Sequence, residues 1–152
     1  MSIRKKVLLS VLAVLLLIQF FQPKRNVNTK ASKSDINNVY QVPDKVKAVL
    51  QRSCYDCHSN STNYPWYSSI QPFGWVMASH IRKGKSELDF NRFGEYSPRR
   101  QKSKLKSIRE SIKDNSMPLP SYTLIHQSAK LSNEQKNSIY KWLDNVQSTS
   151  LQ

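Results

Sequence analysis

Cys54-Tyr55-Asp56-Cys57-His58 gathers both cysteines of the chain and one of its three histidines into five residues. A C-x-x-C-H run places two thiols about one turn apart with an imidazole beside the second. That pattern suits covalent attachment of a c-type haem, each thiol adding to one vinyl group and the imidazole swinging under the iron. Cys54 and Cys57 are therefore read as thioether-forming residues, and His58 as the proximal iron ligand. Other chemistries compete for the same residues. A zinc site built on Cys54, Cys57 and His58 would need His80 or His126 to complete it, because no second cysteine pair exists. A thioredoxin-like redox pair requires a βαβ context that the flanking sequence lacks, and a structural disulfide has no further signature.

Other residues suit the far side of such an iron. Met117 sits in a proline-stiffened loop, Asn115-Ser116-Met117-Pro118-Leu119-Pro120, 59 residues after His58. This is similar to the loop that supplies the distal methionine of cytochromes c shortly before their last helix, and His/Met ligation raises the haem potential. The bland reading of Met117 is gap filling in a core. His80 recurs with Phe73, Val76, Met77 and Ile81 on one face of a helix opened by Pro72, which points it inward as a competing ligand. Tyr64-Pro65-Trp66-Tyr67 offers aromatics that would wall the macrocycle or serve as ordinary core.

These residues must be carried by helices. Pro43-Asp44 starts one with Val46, Val49 and Leu50 as its apolar stripe, and it delivers the cysteine motif. Ser97-Pro98 starts another, reaching about Asp114 with Leu105, Ile108 and Ile112 inward. Ser132-x-x-Gln135 is a capping box for a last helix that buries Ile139, Trp142, Leu143 and Val146. The stretch from Gly84 to Tyr96 reads as loop with a buried piece around Leu88, Phe90 and Phe93.

The chain begins differently. Arg4-Lys5-Lys6 precedes an uncharged apolar run from Val7 to Phe21. A basic start and an apolar run indicate an export signal, and the bulky residues at its end argue for retention as an anchor. Residues 1–23 are thus expected to form a single-pass membrane-anchor helix, 24–41 a polar tether, 42–146 the folded domain and 147–152 a frayed tail. The C-x-x-C-H run resembles that of the cytochrome c class, whose haem is attached outside the cytoplasm, and this resemblance implies the periplasmic face of a bacterial inner membrane as the address.

The formal net charge is +14, and six of the 24 basic residues lie within the first 31 positions. Beyond them 18 basic residues face 10 acidic ones, still a basic balance. No helix-turn-helix, RNP-like run or zinc-finger spacing supports nucleic acid as a partner. Arg99, Arg100, Lys102, Lys104, Lys106, Arg109 and Lys113 instead form either a docking surface for an acidic redox protein or lipid head groups, or a solvated helix face.

Taken together, Cys54 to Asn60, Tyr64 to Tyr67, His80-Ile81 with Gly84, Leu88 and Phe90, and Met117-Pro118-Leu119 with Tyr122, His126 and Trp142 resemble the bacterial haem-binding domain family that carries a C-x-x-C-H motif. The similarity covers roughly positions 40–145. Lys85 and Phe93 depart from the family's more usual Arg and Trp. The resemblance implies an all-α, cytochrome c-like domain binding one covalent haem c through Cys54, Cys57 and His58; the residues read above add Met117, ahead of His80, as the second iron ligand. The function then expected is single-electron transfer without catalysis. A haem enzyme, or a peroxide or gas sensor assisted by His80 or His126, is the alternative.

Overall fold

Val46 and Leu50 lie one turn apart on a helix opened by Asp44, and that stripe is the seed of the core. The computed structural model describes residues 1–28 and 32–149. Eight α-helices occur among them: α1 (Ile3–Leu17), α2 (Ile36–Val39), α3 (Asp44–Ser53), α4 (Tyr55–His58), α5 (Phe73–Glu87), α6 (Pro98–Lys113), α7 (Pro120–Ile125) and α8 (Asn133–Thr149). The described residues contain no strand, only an isolated antiparallel bridge between Val27 and Ser61. The protein is all-α.

Both α3 and α6 pack on α8. Leu50, Leu105, Ile108, Ile112, Ile139, Trp142 and Leu143 close a common core, joined by Ile36 from α2. The helix starts follow local chemistry. Ser97 Oγ accepts from the Arg100 amide with Pro98 in the first turn. Ser132 and Gln135 exchange reciprocal bonds of 2.8 and 3.2 Å, a complete capping box. A frayed tail is expected from 147 onward, but α8 continues to Thr149; residues 150–152 lie outside the described residues.

The piece between Gly84 and Tyr96 is more ordered than a loop. Here α5 runs on to Glu87, and a 3-10 turn over Phe90–Glu95 drives Phe90 and Phe93 into the core, at 1% and 0% exposure. The buried face of α5 is Gly74, Ala78 and Ile81, whereas Phe73 and Val76 are exposed. Small residues allow the helix to lie close on its neighbours, and that decides which face turns inward.

Composition reads residues 24–41 as tether, yet several of their described polar groups form hydrogen bonds within the fold. The Asn26 side chain donates to Ser59 O at 2.8 Å and to Thr62 Oγ1 at 2.9 Å, and Asn28 N donates to Asn60 O at 2.8 Å. Ile36 is fully buried, and Gly94 N donates to Ser34 O at 2.8 Å. Of this segment, residues 29–31 lie outside the described residues.

The expected single-pass anchor is not supported. The 15 residues of α1 extend about 22 Å at 1.5 Å per residue, short of the roughly 30 Å hydrocarbon core of a bilayer. Among the described residues no helix is long and apolar enough to cross a membrane.

Candidate functional site

The end of α3 and the short helix α4 form one bent rod. Cys54 breaks the helical path at φ −128°, and its carbonyl then accepts from Cys57 N at 3.2 Å and His58 N at 3.0 Å. One turn thus places Cys54, Cys57 and His58 around a common point. The cysteines are free thiols. Burial pushes the Cys54 thiol up to about 12, with Cys57 adding to it, and burial pushes Cys57 up to about 11, with Asp56 adding. Half-buried thiols raised in this way lack the lowered pKa of a redox-active pair.

His58 is held by its inner nitrogen. With the proton on Nδ1 the ring donates to the Leu88 carbonyl at 2.9 Å, while Phe90 meets the ring edge-on, centroids 6.1 Å apart. Such a bond fixes the tautomer with its lone pair on Nε2, as a metal-ligating histidine requires. Leu88 extends at the end of α5, and its own amide is capped by Gly84 O at 2.8 Å.

Gly84 sets the distance between α5 and α4. A Cβ there would stand 2.6 Å from Cys57 O and 3.2 Å from both the carbonyl carbon and the Cβ of Cys57. Only hydrogen fits. Next to it, the Lys85 ammonium donates to Asn26 Oδ1 at 2.9 Å and to Asn60 Oδ1, and lies 3.9 Å from Asp89. It ties the loop after His58 to the N-terminal segment. Burial raises the Asp89 carboxyl above its ordinary range, with Lys85 opposing.

Two adjoining cavities open on this rod, of about 240 and 300 Å³. Both are bordered by Cys54, His58, Glu87, Met117 and Pro118. Cys57, Asp56, His80 and Tyr122 border only the second, and Lys104 and Ile108 only the first. Together they have the size of a cofactor slot. A third cavity, of about 180 Å³, continues from the second past His80, Cys57 and Tyr122 to Phe73, Val76 and Ile125. A larger hollow of about 670 Å³, bordered by Tyr40, Val42 and Trp142, holds none of the cysteines or histidines.

Met117 reaches the slot because of how α6 ends. Asn115 adopts φ 59°, a left-handed conformation that Asn tolerates, and Met117 N then bonds back to Ser111 O at 3.0 Å. The chain is thereby returned across the cavity mouth. His80 is half-buried on α5 and borders the second and third cavities, and its ring makes no hydrogen bond among the described residues. His126 stands apart: its ring stacks on Tyr122 at 4.4 Å and its Nε2 is 2.6 Å from Tyr67 Oη. Trp66, read as core or cavity wall, is 79% exposed. Among the described residues no group of three His, Cys, Asp or Glu side chains is placed to hold a metal ion, so the zinc alternative finds no ligand set there.

Several parts of the site carry no motif. The Leu88 carbonyl is backbone, and no side-chain pattern announces it; Gly84 at mid-helix was the available signal of a close approach. Asp56 accepts from Tyr122 Oη at 2.6 Å and from Asn63 N at 2.9 Å, which anchors α7 to the motif. Of the seven basic residues of α6, three are engaged: Arg109 with Asp144 and the Tyr140 ring, Arg100 over the Tyr96 ring at 4.5 Å, and Lys104 with Glu87 at 3.8 Å. Arg99, Lys102, Lys106 and Lys113 make no ion pair among the described residues.

An all-helical fold that gathers a cysteine pair and an Nδ1-anchored histidine on a cofactor-sized slot defines a class of haem-binding proteins. The family known as Haem-binding domain matches residues 13–145, and the chain belongs to it. Neither a curated protein nor a solved structure matches the chain.

Proposed function

We propose that the chain is a monohaem c-type protein that passes single electrons at the periplasmic face of a bacterial inner membrane, held to lipid by its apolar N-terminal segment. Cys54 and Cys57 would hold the haem covalently, His58 would be the proximal ligand and Met117 the distal one. The observation that carries the reading is the His58 ring, anchored by Nδ1 to Leu88 O at 2.9 Å, on a slot that both cavities, Cys54 and Met117 share. The haem, when bound, supplies a one-electron couple whose potential follows its axial ligands. The chain's own part is orientation and exclusion of water. Leu88 holds the imidazole, Gly84 sets α5 against the motif, and the Asn115 turn places the thioether. Lys104 and Lys83 border the slot as cations suited to carboxylate groups at its edge, and the free basic residues of α6 suit an acidic redox partner.

A second reading rests on His80, whose unpartnered ring borders the slot from α5. Ligation by His80, or an open distal side, fits a sensor or a peroxide-reactive enzyme. Optical and paramagnetic-resonance spectra of the haem-loaded chain separate the two. The first reading expects a low-spin centre whose methionine-to-iron band vanishes in Met117→Ala and survives in His80→Ala. A five-coordinate high-spin spectrum in the unmutated chain sinks it, and absence of covalent haem after maturation in a competent bacterium sinks both.

A further inference from the structure

The N-terminal helix and the aromatic end of α5 form a connected apolar surface. Along α1 every residue is exposed, and from Val7 to Leu17 all are apolar but Ser10, with no polar face. A helix apolar all round is stable only when something covers it. This one is not loosely attached. Gln19 and Gln71 exchange two bonds, Gln71 N to Gln19 Oε1 at 2.9 Å and Gln19 Nε2 to Gln71 O at 3.2 Å. Gln22 Nε2 donates to Ser69 O at 3.1 Å, and Trp75 Nε1 donates to Phe21 O at 2.8 Å. Gln71 itself is buried, so the joint between helix and domain is fixed in orientation.

Beside that joint lies a patch the fold leaves open. Phe73, Val76 and Ile125 surround the mouth of the third cavity, and all three are exposed. Leu124 neighbours Ile125 on α7, while Trp66 meets the ring of Tyr67, which lines the same cavity. Exposed apolar residues are ordinary when scattered, whereas a contiguous group continuous with an uncovered helix marks a contact surface. Its rim is cationic. Arg25 bonds Ser69 Oγ at 2.8 Å and stands over the Tyr64 ring at 5.0 Å, next to the exposed Lys24. No acidic residue precedes Asp35. Trp and Tyr beside cations, next to an apolar helix, match the interfacial zone of an anionic bilayer.

We propose that the Trp66–Phe73–Leu124 face is a second membrane contact, seated on the same anionic phospholipid surface that receives α1, so that the domain sits at one fixed orientation on the membrane. The inference rests on the lipid attachment proposed above, and it adds that the domain's own surface inserts side chains among the acyl chains. Helix α6 borders the first cavity through Lys104, Ser107 and Ile108 and does not border the third, so on this seating its exposed basic residues are left in water.

The full chain, haem-loaded, is mixed with phosphatidylethanolamine–phosphatidylglycerol vesicles containing a phospholipid with a diazirine on its acyl chain, then irradiated, and adducts are mapped by peptide mass spectrometry. Adducts are expected on α1 and on Trp66, Phe73, Leu124 or Ile125, with none on α6. In the double variant Phe73→Glu, Leu124→Glu the domain adducts should be lost while those on α1 persist. Both positions are exposed, and the haem spectrum checks the fold. Adducts on α1 alone, or on α6, overturn the inference and leave the lipid attachment standing. A chain that does not bind the vesicles overturns both. A lipid-free dimer in sedimentation that the double variant abolishes assigns the face to a second copy of the chain, and this also overturns the inference.

Discussion

Gly84→Ala sets two effects of opposite sign against each other in the one helix that rests on the haem motif. Position 84 lies inside α5, where exchanging Gly for Ala by itself stabilises by about 0.5–1 kcal/mol. The new methyl would meet the Cys57 carbonyl oxygen at 2.6 Å and two further Cys57 atoms at 3.2 Å. These are backbone atoms and the stem of a side chain, so no rotamer relieves the clash; either α4 or α5 must move. Overpacking of this kind costs about 1–3 kcal/mol, more than the propensity gain, and the expected net loss is on the order of 1–2 kcal/mol. Urea unfolding of the haem-free chain, followed by far-ultraviolet circular dichroism, measures it. Ser86→Ala is the control, exposed in the same helix and expected to stay within about 0.5 kcal/mol of the parent. Because α4 carries Cys57 and His58, Gly84→Ala should also lower the haem incorporated per chain during maturation. A Gly84→Ala chain as stable as the parent would refute the packing of α5 on the Cys57 backbone.

Asp89→Asn tests the buried carboxyl beside Lys85. Burial raises its pKa in the folded chain above the unfolded value, so the folded state binds the proton more tightly. The stability this contributes is present at acid pH and is lost as pH rises through the folded pKa. The parent's urea midpoint should therefore fall relative to Asp89→Asn between about pH 4 and neutrality, and a parent that gains on the variant over that range contradicts the assignment. Tyr122→Phe removes the 2.6 Å bond to Asp56 while Asn63 N still donates to the carboxylate. The site is half-buried, so the expected cost is about 1–2 kcal/mol by chemical denaturation; an unchanged midpoint would show that α7 is not anchored through this bond.

Helices with a one-sided apolar stripe were legible because burial imposes the 3.6-residue period on the sequence. Val46 with Leu50, then Leu105, Ile108 and Ile112, then Ile139, Trp142, Leu143 and Val146 all lie buried, as their spacing predicts. Caps were legible for the same local reason, since Ser132 and Gln135 need only each other. Residues 24–41 were not, because a polar side chain looks alike whether it faces water or donates to Ser59 and Thr62, as Asn26 does. The face of α5 misled for a different reason. Phe73 and Val76 carry more hydrophobicity than Gly74 and Ala78, but close helix approach favours the small residues, and the large ones are left around an open cavity. Around the motif, Cys54, Cys57 and His58 stood out by type, whereas the partner that orients His58 is a peptide carbonyl thirty positions away, visible only once the chain is folded.

The three cavities lie in series, and their order bears on where electrons would enter. The first is bordered by Lys104, Ser107 and Ile108 of α6, the second by both cysteines and His58, and the third by the apolar residues of α5 and α7. The first and third share no lining residue, so Lys104 and the apolar residues of α5 and α7 border different ends of one slot. A face seated on lipid as proposed would be closed to a soluble protein, while Arg99, Lys102 and Lys106, which line none of the three cavities, make no ion pair among the described residues. On the proposed reading an acidic partner steered by those charges would meet α6, which borders the first cavity through Lys104. His80 borders the second and third cavities and not the first, so it lies toward the apolar residues of α5 and α7. If a haem is held as proposed, Met117 would reach it from the side shared with the first cavity and His80 from the side shared with the third, so the identity of that ligand would also bear on which surface the centre serves.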